Sequence, residues 1–167
     1  MVNVLKQQYE YIRITRQSLF SLLENIPLDK LHTALPDFGS GSIVKTHIHV
    51  ADCYRFWLGS YAFNQKRADF SFATVNEIEH ADVNWIRDRF QLADEAAYRF
   101  LEDFDSRWFE PVSNHVKWQE EPWSTTPLWL FTHTVTHEFH HKGQIVSMAR
   151  QLGYPPPLAT GNLTFNI

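Results

Sequence analysis

Thr132-His133-Thr134-Val135-Thr136-His137-Glu138-Phe139-His140-His141-Lys142-Gly143-Gln144 holds four of the chain's nine histidines within nine residues. Histidine binds divalent metals as neutral imidazole and titrates near neutral pH. The stretch lies inside Pro127 to Leu152, a segment with no internal proline and one glycine. That is long enough for about seven helical turns. Leu130, Thr134, His137, His141, Ile145, Met148 and Leu152 recur at steps of three and four, which marks one stripe of an α-helix. His137 and His141 sit on this stripe at i and i+4, where side chains lie one above the other. Two imidazoles so placed can share an ion at Zn–N distances of about 2.0–2.1 Å. His133 and His140 lie about a sixth of a turn to one side, beside Gln144, Ser147 and Gln151. His133 and His141 are about 12 Å apart along the axis, too far to share one ion. The bland alternative is a pair of core histidines bonded to backbone or carboxylates. The metal reading is preferred, because two imidazoles buried side by side need a shared partner to offset their desolvation.

Working outward, three more long helices are expected. Residues 3 to 25 carry Leu5, Tyr9, Ile12, Leu19 and Leu23 at helical spacing, and Ile26-Pro27 ends the run. Leu28 to Gly41 reads as a loop. Ser42 can cap a second helix running to about Ala62. Apolar residues occur on nearly every side of that helix, so its phase does not choose between His47 and His49. Asp52, one turn after His49, could orient an imidazole or sit at the wet edge of the helix. Residues 63 to 80 are polar, with a short turn near Thr74 to Glu79. Ala81 to Phe104 reads as the third helix, with Trp85, Phe90 or Arg89, Leu92, Ala96, Phe100 and Phe104 as its apolar face. Asp105 to Pro127 reads as an ordered excursion with a short hairpin. Trp108, Trp118, Trp123 and Trp129 could line a pocket there, although clustered aromatics are more often core. Gly153 is placed to stop the last helix. The tail from Leu158 to Ile167 is apolar enough to pack back on the body.

The bulk numbers remove several classes. The 167 residues fit one domain spanning 1–167. Net charge is −4 with no basic run, which argues against a nucleic-acid surface. Cys53 is the single cysteine, so no intrachain disulfide forms and a reducing compartment is expected. The first residues carry no signal-peptide core, and no apolar run approaches the roughly 18 residues of a membrane span. A cytoplasmic protein without membrane partners is the expectation.

His137-Glu138-Phe139-His140-His141 matches H-E-x-x-H, in which zinc proteases use the Glu as general base. The extended form needs Gly and His where this chain has Gln144 and Ser147. The other large class takes a downstream carboxylate, and no Asp, Glu or His follows His141. A third ligand must come from upstream. Glu138 is therefore expected on the helix surface or behind a ligand, not as a catalytic base.

The run from His133 to Gln144, followed by Arg150-Gln151-Leu152-Gly153 and prolines, resembles the C-terminal signature of the DinB/YfiT-like superfamily. His49-Val50-Ala51-Asp52 with Trp57-Leu58 resembles its second-helix signature. The resemblance implies an all-α, four-helix bundle of up-down-down-up topology, with a divalent metal between the second and fourth helices. Its ligands would be His49, His137 and His141, which selects His49 over His47. Characterised relatives include metal-dependent transferases and isomerases that use a low-molecular-weight thiol.

The expectation is a divalent-metal-dependent enzyme acting on a small molecule, either a thiol-dependent transferase or a hydrolase. Its nucleophile would be a metal-activated thiolate or water. Zinc or nickel suits three imidazoles, as do iron, manganese or copper. A thiol cosubstrate with carboxylates would want basic residues near the site, and Lys45, Arg55 and Lys142 cannot be placed there from spacing. A non-catalytic metal- or small-ligand-binding module is the alternative, and a histidine-rich bundle without metal is the third. A homodimer is expected from the family and from the supply of aromatic residues.

Overall fold

The structure, a computed structural model, describes residues 2–39 and 41–156. The expected packing of the Leu158–Ile167 tail lies outside the described residues. Four long helices carry the fold: α1 (Val2–Leu23), α3 (Ile43–Tyr54), α5 (Val83–Asp103) and α6 (Pro127–Gln151). Two short helices, α2 (Leu28–Leu31) and α4 (Val75–His80), lie in the connections. Among the described residues the protein is all-α apart from one small hairpin.

Local chemistry sets the helix ends. Ser42, Asp82 and Thr126 each accept a backbone N–H of the first turn of α3, α5 and α6, satisfying donors that have no intrahelical partner. Thr74 and Glu77 form a reciprocal capping box on α4, where a turn was expected. Gly153 takes a positive φ of 91° after α6, the left-handed conformation that closes a helix. The hairpin crosses from β1 (Val112–Asn114) to β2 (Trp123–Thr125), antiparallel with Ser113 opposite Ser124. Tyr61 donates to the Trp123 carbonyl and ties this hairpin to the second long helix.

Paired contacts give the helix directions. Tyr9 of α1 bonds Asp94 of α5, whereas Gln17 meets Arg87, so these helices run antiparallel. Tyr9 also meets Phe131 while Arg16 reaches Glu138, so α1 and α6 run the same way. His49 meets His137 while Trp57 meets Trp129, so α3 opposes α6. Asp52 pairs with Arg89, and Gly59 lies against Ala96, so α3 and α5 run together.

Two apolar faces differ from their expected phase. The buried face of α5 is Ile86, Phe90, Ala93, Ala97, Phe100 and Leu101. Leu92 stands 47% exposed. Phe90, Phe100 and Phe104 of the expected face are buried, whereas Trp85, Leu92 and Ala96 give way to their neighbours Ile86, Ala93 and Ala97. On α6 the buried face is wider than the expected stripe and includes Val135, Glu138, Lys142 and Ala149. His137 and His141 lie at its edge, half-buried.

The second long helix does not stay α-helical to its end. Arg55–Tyr61 continues α3 as a π-helix. Ala62 N–H donates to Trp57 and Gln65 N–H to Ser60 across five residues. Such insertions rotate the following side chains and recur at functional sites. Gly59 falls in this segment, where an added Cβ would lie 3.2 Å from the Ala96 Cβ on α5. Glycine thus permits the two helices to approach.

Candidate metal centre

His49 on α3 and the pair His137 and His141 on α6 meet across the bundle. Their Nε2 atoms are 3.1 Å apart from His49 to His137 and 3.1 Å from His141 to His137. One ligand atom from each of the three lies within 4.8 Å of the others, so the set could hold a metal ion. His137 Nε2 can carry one proton, which can point at only one of its two neighbours. A shared cation satisfies all three lone pairs at once. At Zn–N distances of about 2.0–2.1 Å, a 3.1 Å separation of two nitrogens corresponds to an angle of about 100°, between octahedral and tetrahedral values.

The electrostatics keep these imidazoles neutral, as ligation requires. Burial, followed by the neighbouring imidazoles of His141 and His49, lowers the His137 pKa to about 3. His49 is exposed on one side, and partial burial of its ring also lowers its pKa, with Asp52 opposing and Lys117 adding to the shift. Burial lowers His141 too, where the Gln144 hydrogen bond opposes. Gln144 Oε1 lies 2.7 Å from His141 Nδ1. An amide oxygen only accepts, so Nδ1 carries the proton and Nε2 presents its lone pair.

The other histidines have different surroundings. His47 is buried in the core, its ring 4.9 Å from Phe20 and 4.8 Å from Phe90. His133 is stacked on Trp129 at 4.8 Å. His140 is exposed, its ring 5.0 Å from that of His141. Glu138 corrects a sequence expectation. It is 6% exposed and stands outside the candidate ligand group, accepting from both Arg16 Nε and Nη2. Asp52 orients no imidazole and is not at a wet edge. It is buried and accepts from Arg55, Arg89 and the Ala73 amide. This clamp fixes the segment preceding α4.

A pocket of 420 Å³ opens beside the centre, with His49 and His137 in its lining. Trp57, Phe72 and Trp118 form aromatic walls, and Arg67 and Lys117 also line it. Of the four tryptophans expected in a pocket, Trp118 alone lines this one. Trp108 is core, while Trp123 and Trp129 pack around Trp57. The basic lining comes from Arg67 and Lys117, which no local sequence pattern singled out. Arg55 is engaged with Asp52, Lys142 lies buried over Phe139, and Lys45 is exposed on α3.

The helical fold and the histidine cluster define a class of protein. The model of the DinB family matches residues 1–166, and the chain belongs to that family. It is similar to the protein DinB of Bacillus subtilis (strain 168), with 26% identity over 156 residues that cover 87% of this chain and 84% of that relative. Among the described residues, no helix is long and apolar enough to cross a membrane.

Proposed function

We propose that this protein is a divalent-metal-dependent enzyme in which His49, His137 and His141 hold the ion. The observation that carries this reading is the meeting of three Nε2 atoms at a pocket large enough for a small molecule. A divalent ion held there lowers the pKa of an adjacent thiol or water and so supplies a nucleophile at neutral pH. Three protein donors leave room for that group. Zinc or nickel suits the donor set best, with iron, manganese or copper as further candidates.

The chain's own residues divide the remaining work. Gln144 holds the His141 proton on Nδ1. The aromatic walls exclude water from one side of the substrate. Cys53 lines the pocket but is buried, and burial, followed by Glu138 and Asp52, pushes its pKa well up. It is therefore a poor nucleophile. A thiol-dependent transferase would take its thiol from a low-molecular-weight cosubstrate, and a hydrolase would use water. The reading includes a homodimer working in the cytoplasm, and light scattering on the purified protein tests its dimeric part.

Elemental analysis of protein purified without a nickel column tests the metal. About one divalent ion per chain is expected, lost in His137→Ala with the helical signal retained. No ion in the wild type after incubation with zinc and nickel would overturn the reading. Unfolding on metal removal would indicate a closed structural site instead.

A further inference from the structure

The pocket beside the three histidines carries an unbalanced positive charge. The chain as a whole has 19 acidic and 15 basic residues, yet no acidic residue lines this cavity, while Arg67 and Lys117 do. Neither forms an ion pair among the described residues. Arg67 instead stands over the rings of Phe56 and Phe72, at 5.2 and 5.0 Å. These contacts hold its guanidinium in place without neutralising it.

The contrast with two other cavities among the described residues is chemical. The cavity between α1 and α5 is lined by Arg13, Arg16 and Arg87, but each of these is paired with a carboxylate. The cavity at Arg55 contains an arginine already bound to Asp52. The wall that carries Arg67 and Phe72 is also fastened. The Ser71 carbonyl accepts from Arg55, and the Ala73 amide donates to Asp52. A free arginine on a fixed wall, with the exposed Lys117 also lining an apolar aromatic interior, is a recognition surface for an anion with an apolar body.

We propose that the substrate is an organic carboxylate. Arg67 and Lys117 hold its carboxylate, its apolar or aromatic body lies between Trp57, Phe72 and Trp118, and its reacting end points toward His49 and His137. The last part rests on the metal-centre reading above; the anion preference does not. Arg67 and Lys117 are the residues that set specificity.

Naphthalene-2-acetate and its uncharged amide, naphthalene-2-acetamide, are matched probes that differ in charge. Calorimetry is run at low salt on chelator-treated protein, where no ion is present to bind the carboxylate, and again after zinc loading. The acetate is expected to bind about tenfold more tightly than the amide to chelator-treated wild type. In the Arg67→Gln, Lys117→Gln double variant, that preference is expected to fall below about twofold, with amide binding and the helical signal unchanged. Equal binding of the two probes, no binding of either, or a preference that survives in the double variant would each overturn the inference. Zinc content is read separately. A preference without zinc uptake overturns only the metal reading, and zinc uptake without a preference overturns only this one.

Discussion

Glu138 and Arg16 form a two-point ion pair inside the bundle, with Nε to Oε1 at 2.7 Å and Nη2 to Oε2 at 3.0 Å. Asp94 takes the third guanidinium nitrogen at 2.6 Å and also accepts from Tyr9 and Arg13. The pair joins α1 to α6 one residue along from His137. Burial alone would lower the Arg16 pKa, but Glu138, Tyr9 and Asp94 more than offset it, and the net shift is upward.

That geometry separates a structural carboxylate from a catalytic one. Glu138→Ala leaves Arg16 Nε and Nη2 buried without an acceptor while Asp94 still holds Nη1, and breaking such a buried pair costs up to about 3–5 kcal/mol. The urea midpoint is expected to drop accordingly. Zinc content of the folded fraction is expected to stay unchanged, because the carboxylate is taken by Arg16 and is not among the candidate ligands. Replacing both partners, Arg16→Met with Glu138→Leu, is expected to recover most of the loss. Equal stability of Glu138→Ala and wild type would show that the pair carries no weight.

Gln144 acts on the centre through His141. Gln144→Ala removes the acceptor that keeps the proton on Nδ1, so His141 samples the tautomer that cannot ligate. Zinc affinity, measured by competition with a chromophoric chelator, is expected to fall about 10–100-fold. The urea midpoint is expected to hold, since Gln144 is only half-buried. An unchanged affinity would remove Gln144 from the site.

His47, packed between Phe20 and Phe90 in the core, supplies a pH dependence of stability. Burial, then Arg16 and Arg87, lowers its pKa from 6.5 to about 3 in the fold. Between those values the unfolded chain binds a proton that the folded chain refuses. Stability is therefore lost as pH falls below 6.5, and this group adds no slope above it. The contribution is about 1.4 kcal/mol per pH unit. Urea unfolding between pH 6 and 4.5 is expected to be less steep in pH by about that amount for His47→Leu. Parallel profiles for the two proteins would show that His47 is not held neutral.

The helices were legible because their signals are local. Tyr9, Ile12, Leu19 and Leu23 announced the buried face of α1, and all are core. Ser42 and Gly153 marked ends where the structure has them. The α5 face was placed only in part: Phe90, Phe100 and Phe104 are core as expected, but the apolar arc is broad, so its centre lies on Ile86, Ala93 and Ala97 and not on Trp85, Leu92 and Ala96. The polar members of the α6 face were missed for another reason. Glu138 and Lys142 look like surface residues until Arg16, 122 positions away, supplies the charge that lets the carboxylate be buried.

By itself the sequence determined four long helices and an i, i+4 histidine pair on the last one, which it set within the apolar stripe and the structure sets at its edge. Both follow from the 3.6-residue period, which every stretch of chain carries within itself. His49, His47 and Asp52 were beyond that reach. Only the packing of α3 against α6 and α5 turns His49 to the pair, His47 to Phe20 and Phe90, and Asp52 to two arginines. The tertiary structure alone decided that Arg67 and Lys117, fifty residues apart in the chain, line one pocket with Trp57. Charges from distant segments become neighbours through helix packing and loop closure, and no local period encodes which will meet.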